Sequence, residues 1–449
     1  MGNRGVTTLE FSESWKMRIG KYKSLKTREI SLKRKREKRG KMTLGMDKIF
    51  DSVAQNRIFE NKAILQTNYT PDIIPHRDKE IQHIAEILAP ALRGERTSNL
   101  FIYGKTGTGK TLSVLCVRDE LLKRAKNSDK KLRIEYINCK LRKVADTEYR
   151  ILAEIIKKLG GEVPSTGLPT DQVYNKFIEI IEREKQLVIL VLDEIDQAVK
   201  KISDNFLYSL TRLNSELSNT QIGIVGISND LKFLDELDPR VRSSLGEEEI
   251  IFPPYNATQL IEILNKRAES AFKKGAIHEG VIELCSAYAA REHGDARRAL
   301  DLLRVAGELA ERDGKDCVKT EHVDQANEKI DKDKMLEAIK TAPKQLQLVL
   351  YSIIMLNERK TAKIFGETKT PIFTGDIYHF YQQMCQKAKV EVLTQRRVGD
   401  LIAEADMSGL INAHVISNGR HGRTREITLS LPAQILGKAK EILHENLNL

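Results

Sequence analysis

The stretch Gly104-Lys105-Thr106-Gly107-Thr108-Gly109-Lys110-Thr111 constrains this chain more than any other. It follows the apolar run Leu100-Phe101-Ile102-Tyr103 and precedes the helical pattern Leu112 to Cys116, so it joins a strand to a helix. Glycines at this spacing reach backbone angles closed to other residues, and successive N–H groups then curl around a polyphosphate at a helix N-terminus. In such a loop Lys110 brings a point charge to the β- and γ-phosphates and Thr111 a hydroxyl to Mg²⁺. A strand, this loop and a helix predict an α/β phosphate-loop domain with a parallel sheet.

The six apolar residues Leu187 to Leu192 read as a central parallel strand covered on both faces. The strand ends in Asp193-Glu194-Ile195-Asp196. A carboxylate at the tip of a strand beside the phosphate loop holds Mg²⁺, directly or through its waters, and a following glutamate polarises the attacking water. Asp193 is therefore the metal-side residue, with Thr111, and Glu194 the general-base candidate; Asp196 is expected to make a structural hydrogen bond. A further strand, Gln221 to Ile227, ends in Ser228-Asn229, where an amide touches the γ-phosphate or its water, or is an ordinary turn residue. Asp238-Pro239-Arg240-Val241-Arg242 sets two arginines near a domain edge, either to meet a neighbour's nucleotide or to form a solvated helix face.

Upstream, residues 47–66 read as a short helical approach, and Tyr69 to Arg77, with Pro71 and Pro75, as an extended segment able to offer Ile73 and Ile74 to a flat ligand. A helix is expected from Asp78 to about Leu92, a β-type run over Arg133 to Asn138, and helices from Tyr149 to Leu159 and after Pro169. After Phe252-Pro253-Pro254 the pattern turns helical, and a helix opening at Gly294-Asp295-Ala296-Arg297-Arg298 uses Asp295 as its cap. Arg297 or Arg298 then projects toward a phosphate.

The formal net charge of +11 is uneven. The first 46 residues hold 14 basic and 4 acidic side chains, leaving 60 and 59 for the rest. This low-apolar tail predicts disorder, and it is either a solvated, inert segment or an arm adding salt-sensitive affinity for nucleic acid. No apolar run of about 18 residues exists, so neither a membrane span nor a membrane partner is expected. Five scattered cysteines without metal-ligand spacing point to a reducing, cytoplasmic location.

From about Lys334 a separate module begins. Helices over Gln345 to Leu356, Gly375 to Lys387 and Thr394 to Met407 precede a strand, Ile411 to Ser417, a Gly-rich turn and a strand, Thr424 to Leu429. Three helices and a hairpin make a winged helix. Its third helix offers Thr394, Gln395, Arg396 and Arg397 to a major groove, and Arg420, His421, Arg423 and Arg425 lie in or beside the turn. Winged helices also dock proteins; four basic side chains around one turn favour DNA.

In this order the pieces resemble the archaeal replication initiators of the origin-recognition complex subunit one and Cdc-six type, a branch of the AAA+ ATPases. The resemblance spans about residues 47–449 and rests on Pro75-His76-Arg77, the Walker A loop, the Walker B box at Asp193, sensor one at Asn229, the box at 238–245 and sensor two at 294–300. It implies an AAA+ base over 47–253, an all-α lid over 254–332 and a winged helix over 333–449, behind the tail at 1–46. It implies that Ile73 and Ile74 cradle adenine with Arg77 nearby, that Arg297 is the sensor-two arginine, and that a helical insert from Lys140 to about Lys158 brings Lys140, Arg142 and Lys143 to DNA. Where related clamp loaders carry Ser-Arg-Cys, this chain has Ser243-Ser244, leaving Arg240 as the candidate acting in trans. The implied function is an initiator that binds ATP or ADP with Mg²⁺, recognises double-stranded origin DNA beside other initiator copies, recruits or loads the MCM helicase, hydrolyses ATP slowly as a switch, and lies with the nucleoid. The alternatives are a loader acting by protein contacts and a nucleotide-dependent transcriptional regulator.

Overall fold

The computed structural model describes residues 58–449 except 68, 72, 128–129, 141–146, 165–166, 363–371 and 418–422; at 247, 360–362, 417 and 423 it describes the backbone alone. The tail at 1–46 thus lies outside the described residues, as do Arg142, Lys143, Arg420 and His421 and the side chain of Arg423. The chain divides into two compact units, one ending at His322 and one beginning at Val323.

The first unit is built on strands β1 (Asn99–Tyr103), β2 (Leu132–Asn138), β3 (Gln186–Asp193), β4 (Thr220–Ser228) and β5 (Glu247–Ile251). They form one sheet in the order β2-β3-β4-β1-β5, with every pair parallel. Side chains alternate between faces along a strand, so each apolar run feeds two cores. Leu100, Ile102, Ile189 and Val191 pack under α1 (Asp78–Leu88) and α2 (Lys110–Ala125). Phe101, Tyr103, Val188 and Leu190 face the opposite layer, which includes α3 (Glu148–Lys158), α4 (Thr170–Ile181), α5 (Ile195–Ile202), α6 (Asn205–Glu216) and α7 (Pro239–Leu245).

Asn229 follows the tip of β4, which lies between β3, the strand carrying Asp193, and β1, the strand that leads into the phosphate loop. Two expectations need correction here. The helix expected to reach Leu92 ends at Leu88, because Pro90 follows and tightens the chain into a 3₁₀ turn over Ala89–Arg93. The expected insert from Lys140 holds one described helix, α3, and that helix buries Ile151, Leu152, Ile155 and Ile156 in the core.

The all-helical part of this unit contains α8 (Ala257–Ala271), α9 (Val281–Arg291) and α10 (Ala296–Arg312). Asn256 and Gln259 form a reciprocal cap on α8, and the carboxylate of Asp295 caps α10. Of the approach read as helical over 47–66, residues 47–57 lie outside the described residues; the rest contains a 3₁₀ turn over Lys62–Leu65 that packs on this helical part, where Phe59 bridges Phe272 and Lys62 pairs with Glu308 at 2.8 Å. A long helix, α11 (Thr320–Thr341), follows.

The second unit contains α12 (Lys344–Ala362), β6 (Ile372–Phe373), α13 (Thr374–Ala388), α14 (Gln395–Met407), β7 (Ile411–Ser417), β8 (Arg423–Leu429) and α15 (Ala433–Leu447). Its sheet runs β6-β8-β7, antiparallel throughout, against a core that includes Leu348, Val349, Tyr381, Val398 and Leu443. This is the expected winged helix, with β6 and α15 added to the elements read from sequence. Among the described residues no helix is long and apolar enough to cross a membrane.

Candidate nucleotide-binding site

The phosphate loop leaves β1 at Gly104 and enters α2 through Gly109, whose φ of 93° only glycine adopts without strain. Lys110 opens the helix and is 5% exposed. Its ammonium donates to the carbonyls of Gly104 (2.8 Å) and Lys105 (2.7 Å) and to Asn229 Oδ1 (2.9 Å). Burial pushes its pKa down to about 8, against the opposing pull of Asp193.

Thr111 Oγ1 donates to Asp193 Oδ2 at 2.8 Å, and the Tyr136 hydroxyl donates to the same oxygen at 2.7 Å. The other carboxylate oxygen accepts the Glu194 N–H at 2.9 Å. One hydroxyl and one buried carboxylate, side by side, form the two-ligand set that Mg²⁺ takes when phosphate oxygens and waters complete its octahedron. Among the described residues no group of three or more His, Cys, Asp and Glu side chains could hold a metal ion.

Glu194 is the N-cap residue between β3 and α5, with a left-handed φ of 55° that breaks the strand. Its Oε2 lies 3.3 Å from the ammonium of Lys140. Lys140, expected near DNA, thus pairs with the general-base candidate. Asp196 is 3% exposed and accepts the Ser228 hydroxyl (3.2 Å) and the Asn229 N–H (3.4 Å), which is the structural role expected of it.

Beside the loop opens a cavity of about 540 Å³. Ile73, Ile74, Gly107, Gly109 and Thr111 line it, and Arg297 lines it from α10. Arg298 is buried instead and pairs with Glu292 at 3.2 Å. Arg77 does not line the cavity. It is 2% exposed, gives Nε to the Thr108 carbonyl (2.8 Å) and Nη2 to the Pro253 carbonyl (2.5 Å), and sits 4.1 Å from the Tyr255 ring centre. It braces the loop through the Thr108 carbonyl and packs on Tyr255, which itself lines the cavity.

Sequence reasoning missed Tyr255, Lys266 and Arg267, all of which line the cavity. Arg267 stands 4.5 Å over the Tyr69 ring and donates to the Ile64 carbonyl at 3.2 Å. The available signal was two adjacent cations beside the apolar stripe Leu260, Ile263 and Leu264. Arg240 lies away from the cavity on α7, 88% exposed, with Asp238 as its ionic neighbour at 3.7 Å.

In the winged helix, Thr394 Oγ1 accepts the Arg397 N–H at 3.4 Å and caps α14, leaving Gln395, Arg396 and Arg397 exposed in its first turn. Arg425 is committed inside the unit: its Nη1 donates to the Gly399 carbonyl at 2.5 Å and ties β8 to α14.

Three family profiles match the chain: an AAA domain at 93–233, a Cdc6 AAA+ ATPase-type lid domain at 261–328, and a CDC6 C-terminal winged helix domain at 337–439. The ORC1-type DNA replication protein of Pyrococcus abyssi is 51% identical over 393 residues, 86% of this chain and 91% of that one. The ORC1-type DNA replication protein 1 of Methanosarcina acetivorans is 50% identical over 390 residues, 87% and 92% of the two chains. Among solved structures, the Aeropyrum pernix ORC1 protein in complex with DNA superposes with a TM-score of 0.76 at 43% identity, covering 87% of this chain and 98% of that one. With half its residues shared over nearly the full length of such relatives, the chain belongs to the ORC1-type DNA replication proteins, AAA+ proteins with a Cdc6-type lid and a C-terminal winged helix.

Proposed function

We propose that this chain is a replication initiator that binds double-stranded origin DNA and recruits or loads the MCM helicase, with ATP as a conformational ligand and slow hydrolysis as its reset. The observation that carries the nucleotide part is the junction of Lys110, Asn229, Thr111 and Asp193 beside a cavity that Arg297 closes from the helical side. The relative solved with DNA, and the exposed first turn of α14, support the DNA part.

The residues divide the work by position. The loop N–H groups and Lys110 bind the polyphosphate, and Ile73, Ile74 and Tyr69 supply apolar surface for the base. Thr111 and Asp193 would hold Mg²⁺, which would supply positive charge to the polyphosphate. Glu194 accepts a proton from the attacking water once Lys140 releases it, and Asn229 orients that water. Arg297 answers the charge on the transferring phosphoryl group from α10. Arg240 is the candidate to do so in trans.

The test is genome-wide mapping of DNA bound by the native protein, combined with footprinting on the sites recovered. Protection of origin sequences in the presence of ATP is the expected outcome. Protection confined to promoters points to a transcriptional regulator, and no protected site at all points to a loader acting by protein contacts.

A further inference from the structure

Building on the nucleotide site proposed above, we infer that Asp295, with the backbone of Ala296, is a positioning residue that clasps the phosphate loop from the lid side and holds it in its anion-binding shape. A loop that cradles phosphate must turn its N–H groups inward, so its carbonyl oxygens need partners outside. Most of these partners come from the base: Lys110 holds the carbonyls of Gly104 and Lys105, Thr108 Oγ1 donates to Lys105 O at 2.9 Å, and Arg77 holds that of Thr108. The Gly107 carbonyl is held from the helical part instead, by the N–H of Ala296 at 3.2 Å.

Asp295 sits at the same contact and works in two directions. Its Oδ1 accepts the N–H groups of Arg297 (2.7 Å) and Arg298 (3.3 Å), and its Oδ2 accepts the Thr106 hydroxyl at 3.3 Å. One carboxylate thus joins the free end of α10 to the tip of the loop. The fit is close: a Cβ at Gly107, whose φ is 69°, would come within 1.7 Å of Asp295 Oδ1. Gly107 is therefore demanded by this contact as well as by its backbone angle. The two arms on the loop meet behind it, since Tyr255 donates its N–H to the Gly294 carbonyl at 3.3 Å while its ring covers Arg77. Swinging α10 away removes Arg297 from the cavity and unclasps Thr106 and Gly107 in the same motion. Lid opening and loss of phosphate affinity become one event.

The test uses the full-length protein and release of a fluorescent ADP followed by stopped flow. Asp295→Ser keeps a helix cap but is too short to reach Thr106 as well, and Thr106→Val removes the partner without touching the cap. Each should release ADP about tenfold faster, and the double variant no faster than either alone, the signature of one shared interaction. Asp295→Asn, whose amide donates to Thr106 Oγ1 while its oxygen still caps, should stay within about threefold of wild type. Nucleotide-free melting points should move by no more than about 3 °C. Wild-type release from Asp295→Ser, or rates that multiply in the double variant, would reduce Asp295 to a helix cap and overturn the clasp. Should Asp295→Ser fail to fold, wild-type release from Thr106→Val overturns it equally. Failure of the wild-type protein to bind ADP at all would instead remove the nucleotide-site reading beneath it.

Discussion

Asn229 Oδ1 accepts a hydrogen bond from Lys110 Nζ at 2.9 Å, so the end of β4 and the start of α2 share one proton donor. The same amide residue is fixed from behind by Asp196 through its backbone. In the proposed nucleotide-binding role, a phosphate entering the loop should compete for the ammonium and free the Asn229 side chain to turn toward the γ-position. Asn229→Ala should therefore lower ATP turnover by about 10- to 100-fold while changing ATP affinity by no more than about threefold, because the loop keeps Lys110. Lys110→Ala should abolish measurable binding. Equilibrium binding and single-turnover hydrolysis on the two variants separate these effects.

Lys110 also makes binding pH-dependent. Its pKa in the free protein is lowered to about 8, chiefly by burial, and a bound polyphosphate must raise it again. Phosphates with a second pKa of about 6 are already fully charged in this range. Affinity for ADP should hold steady below pH 8 and fall by up to about tenfold per unit above it, with proton uptake on binding measurable by calorimetry in two buffers. Folding has the opposite dependence. The unfolded lysine titrates near 10.5, so between about 8 and that value the unfolded chain holds more protons, and this residue makes stability rise with pH. A Lys110→Arg variant, charged throughout, should lose both trends.

The contact between Glu194 and Lys140 separates binding from chemistry. Glu194→Gln should bind ATP as wild type does and lose turnover by about 100-fold or more. Lys140 is 69% exposed and its pair spans 3.3 Å, so breaking it should cost little stability. Lys140→Ala should instead raise basal turnover by several-fold, by freeing the carboxylate for water. Unchanged turnover in Lys140→Ala would show that the pair does not restrain Glu194.

Legibility of the site followed the way chemistry is spaced along the chain. Gly104 to Thr111 and Asp193-Glu194 are contiguous because a strand tip and a helix start must present them together, and so they were readable. Tyr255 and Arg267 enter the cavity from α8 and the turn before it, brought there by tertiary packing that leaves no local pattern. The edge strand β5 was missed for a related reason: Glu248 and Glu249 give it no apolar alternation, and it is held by backbone register with β1. Arg77 looks the same in sequence whether it meets a ligand or braces a loop. Only its burial and its carbonyl partners distinguish the two.

The winged helix offers arginines in two different situations, and they should fail differently. Arg396 and Arg397 stand exposed in the first turn of α14, Arg397 facing Asp400 at 3.7 Å. If each meets a DNA phosphate, replacing either by alanine should weaken binding across all sequences and reduce the slope of log affinity against log salt by about one. Arg425 spends its guanidinium on the Gly399 carbonyl between β8 and α14. Arg425→Ala should leave the salt slope within about 0.3 of wild type and lower the melting temperature, because a carbonyl between two packed elements loses its donor. Binding isotherms at four salt concentrations, with a melting curve for each variant, decide between a contact to DNA and a brace within the wing. A slope reduced by one in Arg425→Ala, at an unchanged melting temperature, would return that residue to the DNA interface.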